Sequence, residues 1–351
     1  MRVGALSRLL LGVVVLVAPA AASAPATARS PGHNRYVVHA LTSNQAGVAD
    51  NQDPNLVNAW GLVAGPTTPW WVADNGSDLS TLYNAAGAPQ SLVVSVPGGP
   101  TGTVFNGTAG AFPVGAAAAR FIFATESGTI LGWNGGSAAT QEVPPSGAVY
   151  KGLAIATTPA GPRLFATDFH NGAVDVFDST WKPVPNAGFA DPRLPRHFAP
   201  FGIQAIGDRI FVTYAKQQAG SDDEAHGQGL GLVDEYDLLG HLRARVAQCG
   251  TLDAPWGLAW APDNFGRFSG DLLVGNFGDG RITAYHELFH RFFVPAGQLR
   301  GADGRRLAID GLWALEFGMG SANNGPADSL FFTAGPNDEN DGLFGTVRAV
   351  P

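Results

Sequence analysis

Two kinds of residue pattern in this chain could carry chemistry. The first is His286-Glu287-Leu288-Phe289-His290. On a helix that spacing places two zinc ligands one turn apart with a general base between them. The flanking residues argue against a helix, because the pattern directly follows the alternating run Gly280 to Tyr285 and is followed by Pro295 and Gly297. His286 and His290 are therefore read as solvent-facing turn residues, and a zinc metallopeptidase is kept only as an alternative. The second pattern is a series of acids and amides, each ending an apolar run: Asp74 and Asn75; Glu126; Asp168, His170 and Asn171; Asn276 and Asp279; and Asn337, Asp338, Glu339 and Asp341. A longer polar segment, 216–229, adds Asp222, Asp223, Glu224 and His226.

These residue types suggest three roles. Hard divalent cations take six to eight oxygen ligands, so Asp74, Glu126, Asp168 and Asn276 are candidate ligands for Ca²⁺ or another divalent cation. Asp74, Asn75, Glu126, Asn171, Asp279 and Asn337 are candidates for holding a ligand. His170, next to Asp168 and Asn171, titrates near neutrality in the absence of perturbation, so Asp168 and His170 are the candidates for acid–base work. Asp and Asn before Gly also build tight turns, and each of these residues can be read that way.

Other chemistries find no support. No Gly-x-Ser-x-Gly elbow or Gly-rich phosphate loop ending in Lys-Ser or Lys-Thr occurs. Cys249 is the only cysteine, which excludes an internal disulfide; it is read as a small buried apolar residue rather than a reactive thiol. The formal charge is −8 and no basic run occurs, which speaks against nucleic acid as a partner.

The elements that must position these residues form a repeat. An apolar-Gly-apolar unit recurs as Trp60-Gly61-Leu62, Lys151-Gly152-Leu153, Phe201-Gly202-Ile203, Trp256-Gly257-Leu258 and Gly311-Leu312-Trp313. Its spacing is about 50 residues, and the long gap between Gly61 and Gly152 leaves room for a degenerate copy around Thr101 to Phe105. Each copy is followed by a second apolar run, such as Trp70 to Ala73 or Leu272 to Gly275, and then by an alternating third. Runs of four to seven β-branched and aromatic residues punctuated by Gly, Pro, Asn and Asp are strands. Four strands per repeat at this period predict an all-β fold, a six-bladed β-propeller. The glycine lets innermost strands approach one another, and the large neighbour of each glycine, like the tryptophans generally, is expected to pack between blades. The last copy supplies only three strands, so the strand from Arg35 to Leu41 is expected to complete it and close the ring. In such a ring the polar clusters share one face.

Residues 1–28 read as a signal peptide, with Arg2 and Arg8 before an apolar run of about ten residues and cleavage after Ala22 or Ala28. That run is too short for a membrane span of about twenty. The expectation is a secreted, extracellular protein with one propeller domain, 29–351, no membrane insertion and a monomeric state.

The strand-Asp-Gly pattern resembles NHL-type repeats. A closer resemblance, covering nearly the whole mature chain, is to an uncharacterised family of exported bacterial proteins. It rests on Asp53-Pro54-Asn55-Leu56-Val57-Asn58-Ala59-Trp60-Gly61-Leu62, Ala254-Pro255-Trp256-Gly257-Leu258-Ala259, Leu273-Val274-Gly275-Asn276-Phe277-Gly278-Asp279-Gly280 and Phe332-Thr333-Ala334-Gly335-Pro336. It implies a propeller and export and brings no reaction; the sorting tail of some relatives is absent here. Resemblance at the level of fold to six-bladed lactonases and lyases implies the alternative of a divalent-metal-dependent hydrolase, lactonase or lyase in the channel. The leading expectation is a binding module that presents its acidic loop face to a small molecule, a glycan or a protein.

Overall fold

The computed structural model describes Met1, residues 32–289 and residues 291–350. The signal peptide assigned to 1–28 lies outside the described residues apart from Met1, as does His290.

Six sheets form the blades of a β-propeller, antiparallel except where Asn51–Gln52 pairs parallel with the first strand. Their inner strands are Ala59–Val63, Pro100–Phe105, Tyr150–Thr158, Phe198–Ile206, Pro255–Trp260 and Leu312–Phe317. The second of these is the degenerate copy. Closure follows the sequence expectation: Tyr36–Ser43 pairs antiparallel with Leu343–Ala349, Tyr36 opposite Ala349 and Val38 opposite Val347. The first strand thus gives the sixth blade its outer neighbour, and Tyr36 anchors it by donating its hydroxyl to the Phe265 carbonyl at 3.0 Å.

The third blade departs from expectation, having three strands rather than four. The segment that would form its outer strand carries Pro183 and Pro185, which have no N–H to donate. Pairing there stops at one bridge, Phe177 to Pro183.

Every inner strand has a register irregularity at the same height, between Ala59 and Leu62, Pro100 and Thr103, Tyr150 and Gly152, Pro200 and Ile203, Pro255 and Leu258, and Leu312 and Leu315. A bulge re-aims side chains, and here it divides the two neighbours of each glycine. The residue after it packs between blades: Leu62, Leu153, Ile203, Leu258 and Leu315 each belong to a different inter-blade cluster. The residue before it turns into the channel. This corrects the expectation for the tryptophans: Trp70, Trp71, Trp133 and Trp181 lie between blades, whereas Trp60 and Trp313 belong to the channel cluster, against which Trp256 packs while also touching an inter-blade cluster.

The glycines perform the expected service. A Cβ on Gly102 would lie 2.2 Å from the Leu153 nitrogen, and one on Gly202 2.2 Å from the Trp256 carbonyl. In the sixth blade the equivalent position is Ala314, not Gly311, which lies in the preceding loop at φ +63°.

Candidate functional site

The six bulges point Trp60, Thr101, Lys151, Phe201, Trp256 and Trp313 toward the axis. Trp313 is the hub: its ring stacks on Trp60 at 3.7 Å and on Phe277 at 3.8 Å, with Phe201 and Trp256 at 5.8 and 6.0 Å between centroids. Together with Phe169, these rings plug the channel. Thr101 instead donates its hydroxyl to the Tyr150 carbonyl at 2.7 Å, stitching blade 2 to blade 3.

Lys151 is the one charged member of the ring. Its side chain is 3% exposed, and its ammonium lies 5.2 Å from the Trp60 ring centroid and 2.5 Å from Glu126 Oε1. Burial acts to lower this ammonium, but the Glu126, Glu224 and Asp223 carboxylates outweigh it and hold it above the usual lysine range. The carboxylates come from several blades. Glu126 ends the second strand of blade 2 and accepts a hydrogen bond from Asn75 Nδ2 of blade 1 at 2.8 Å. Asp223 of the long blade-4 loop reaches within 3.9 Å of the ammonium. Glu339 of blade 6 accepts from Asn58 Nδ2 at 2.5 Å, while Asn58 Oδ1 receives the Trp313 indole N–H at 2.9 Å. Polar mouth and aromatic plug are thus joined through one amide.

The mouth is electrostatically unbalanced. Glu126, Asp223, Glu224 and Glu339 surround a single lysine, and Lys151 is already taken by Glu126. Burial first, then repulsion from Glu224 and Glu126, pushes the Glu339 carboxyl up to about 7 against the pull of Asn58 and Lys151. His226 lies 3.3 Å from Glu224; that hydrogen bond, opposed by partial burial and helped by the charges of Glu224, Asp253 and Glu339, raises its imidazole.

Other sequence candidates are engaged elsewhere. Asp74 is fully buried and accepts from the Thr81 N–H at 2.9 Å inside blade 1, its carboxyl raised by burial. Asp168 accepts from the backbone N–H groups of Val149 and Asn171 and from Asn171 Nδ2 at 2.7 Å, so Asp168 and Asn171 lock a turn. Asn276 donates to the Thr251 carbonyl and to Asp279, which also holds Arg281. Asn337, at φ 58°, donates to Asp341 at 3.1 Å. The quartet Asp74, Glu126, Asp168 and Asn276 is not drawn together, and no group of three or more His, Cys, Asp or Glu that could hold a metal ion occurs among the described residues. His170 pairs with Asp222 of the long loop at 2.5 Å rather than with Asp168. That bond and the Asp222 charge raise its pKa, which favours the imidazolium over a free base. A cleft of about 800 Å³ lies beside this pair, lined by His170, His197, Lys216 and Asp222.

Two further readings are corrected. His286 and Glu287 lie on a strand, Ile282–Leu288, and not on a turn or helix. Successive strand residues face opposite sides, so His286 meets Asp271 at 2.7 Å while Glu287 meets Arg209 at 2.9 Å. Cys249 is exposed, not buried; it occupies a left-handed turn position at φ 58°.

The sequence reading missed Lys151 and Asn58. Lys151 carried a legible signal, a charged residue where other repeats place an apolar one before Gly. Asn58 sits at φ 45°, a left-handed position that Asn tolerates, and nothing in its local sequence marks it as a link between mouth and plug.

No family model matches the chain. Two uncharacterised proteins of Acanthamoeba polyphaga mimivirus are similar to it: one is 28% identical over 334 residues, covering 89% of this chain and 80% of the viral protein; another is 30% identical over 282 residues, covering 74% and 51%. These relatives are viral, in contrast to the bacterial family that the sequence resembles. Among solved structures, a glucose dehydrogenase aligns with a TM-score of 0.55 at 12% identity, covering 90% of this chain and all of that one. Virginiamycin B lyase from Staphylococcus aureus aligns with a TM-score of 0.52 at 10% identity, with the same coverage. At such identities these likenesses establish the six-bladed propeller and nothing about activity.

Proposed function

We propose that the protein is a secreted binding module that takes a small, positively charged organic ligand at the plugged mouth of its channel. The observation that carries this reading is the imbalance at that mouth, where Glu224 and Glu339 arrive from different blades and repel each other while Lys151 is committed to Glu126. An incoming ammonium or guanidinium relieves that repulsion and gains charge-assisted hydrogen bonds. The aromatic plug forms the floor beneath it. Export rests on the pattern at residues 1–28.

Calorimetric titration with agmatine, which carries both an ammonium and a guanidinium, tests the reading. Saturable binding that weakens by about tenfold or more in Glu224→Gln or Glu339→Gln supports it. Equal binding to both variants refutes it. So does the absence of agmatine binding, whether or not calcium binds or a lactone is turned over.

A further inference from the structure

A second cavity opens at the opposite end of the channel. Below the Trp60–Trp313 plug the inner strands enclose about 290 Å³ lined by Leu62, Phe105, Ala154 and Ile155. A neighbouring pocket of about 280 Å³ is lined by Leu258 and Trp260, and the two share Gln204, Ala205 and Glu316. One carboxyl therefore stands between a largely apolar lobe and a second lobe of mixed polar and apolar lining. Gln204 Nε2 donates to Glu316 Oε2 at 3.2 Å, and among the described residues no lysine, arginine or histidine pairs with this carboxyl, which burial holds against ionisation. At the rim Met319 leaves 42% of its surface exposed, one of few large apolar side chains to do so.

We infer that this lower cup is a binding site for a small amine with an apolar body, the ammonium pairing with Glu316 and the hydrocarbon filling the lobes. A partly buried carboxylate with one amide partner is costly to ionise without a counter-charge, and an alkylammonium or arylalkylammonium supplies that charge while covering apolar wall. The lobes sit at the small end of the range for ligand pockets, which selects a compact guest. The plug separates this guest from the upper mouth, so the two sites fill independently.

The test is calorimetric titration of the full mature chain at about pH 8 with phenethylamine, 2-phenylethanol and 3-phenylpropionate, three probes of similar shape and different charge. The expected result is binding of the amine at least about tenfold tighter than that of the alcohol or the acid, lost in the nearly isosteric Glu316→Gln and unchanged by saturating agmatine. Equal affinity for amine and alcohol overturns the inference without any variant. Undiminished amine binding by Glu316→Gln, displacement by agmatine, or no amine binding at millimolar probe overturns it as well.

Discussion

Trp60 and Trp313, the bulge residues of the first and last blades, stack at 3.7 Å and seal the channel where the two ends of the ring meet. Both are nearly or fully buried. The bulge that aims them is shared by all six inner strands, so one local backbone device builds the plug and places Lys151 beside it.

Removing the hub should therefore carry the full cost of a core truncation of this size class. Trp313→Ala is expected to destabilise the fold by about 3–5 kcal/mol, because its ring contacts Trp60, Phe277, Phe201 and Trp256 together. Equilibrium denaturation measures this; a loss below about 1 kcal/mol would show that the plug is not part of the fold's support.

The glycine ring makes a position-specific prediction. Gly202→Ala places a methyl against the Trp256 carbonyl and should destabilise by about 1–3 kcal/mol. Ala314→Gly, the equivalent site of blade 6, should cost about 1 kcal/mol or less. If the two variants melt alike, close blade contact is not what selects glycine.

Much of this architecture was legible in the sequence because propeller strands alternate within short, regularly spaced runs. The repeat located all six inner strands, and the three-stranded last copy predicted that the amino-terminal strand closes the ring. The candidate site was legible only in part. Asn75, Glu126 and the loop residues Asp223 and Glu224 lie at one mouth, because second-to-third-strand loops share a face. Asp74, Asp168 and Asn276 hold the same positions in their repeats, yet their side chains bond within blade interiors and turns. Loop position shows which face a residue is on, but side-chain direction depends on hydrogen bonds to backbone groups distant in sequence, such as Val149 N–H for Asp168. Pro183 and Pro185, which remove a strand from blade 3, were visible signals whose consequence the periodicity obscured.

Glu316 gives the stability curve a definite sign. Burial, opposed only by Gln204, pushes its carboxyl up to about 7, whereas in an unfolded chain it titrates near about 4.3. The folded state thus keeps a proton that the unfolded state releases between those values, and its stability falls as pH rises through that window. Glu316→Gln should match the parent at about pH 4 and exceed it by on the order of 1–2 kcal/mol above about pH 7.5, allowing for the side chain's partial opening to the cavity. The opposite order at high pH would contradict the enclosed environment.

The long loop 216–229 is strapped to blade 3 by His170 through Asp222 and braced internally by His226 against Glu224. Both imidazoles are raised by these carboxylates, so their contribution is fully present below the unfolded value of about 6.5 and is lost as pH climbs through the raised folded values. Amide protection factors across the loop should fall as pH rises above about 6.5. The double variant His170→Ala with His226→Ala should show no such fall; if it retains the dependence, the strap lies elsewhere.

Proton release on ligand binding tests the proposed site most directly. With Glu339 raised to about 7, a cation seated beside it should expel about half a proton at neutral pH. The release is read by titrating agmatine calorimetrically in two buffers of different ionisation heat. The account predicts that release and its decrease by the same amount in Glu339→Gln; binding without proton release, or equal release from parent and variant, would contradict it.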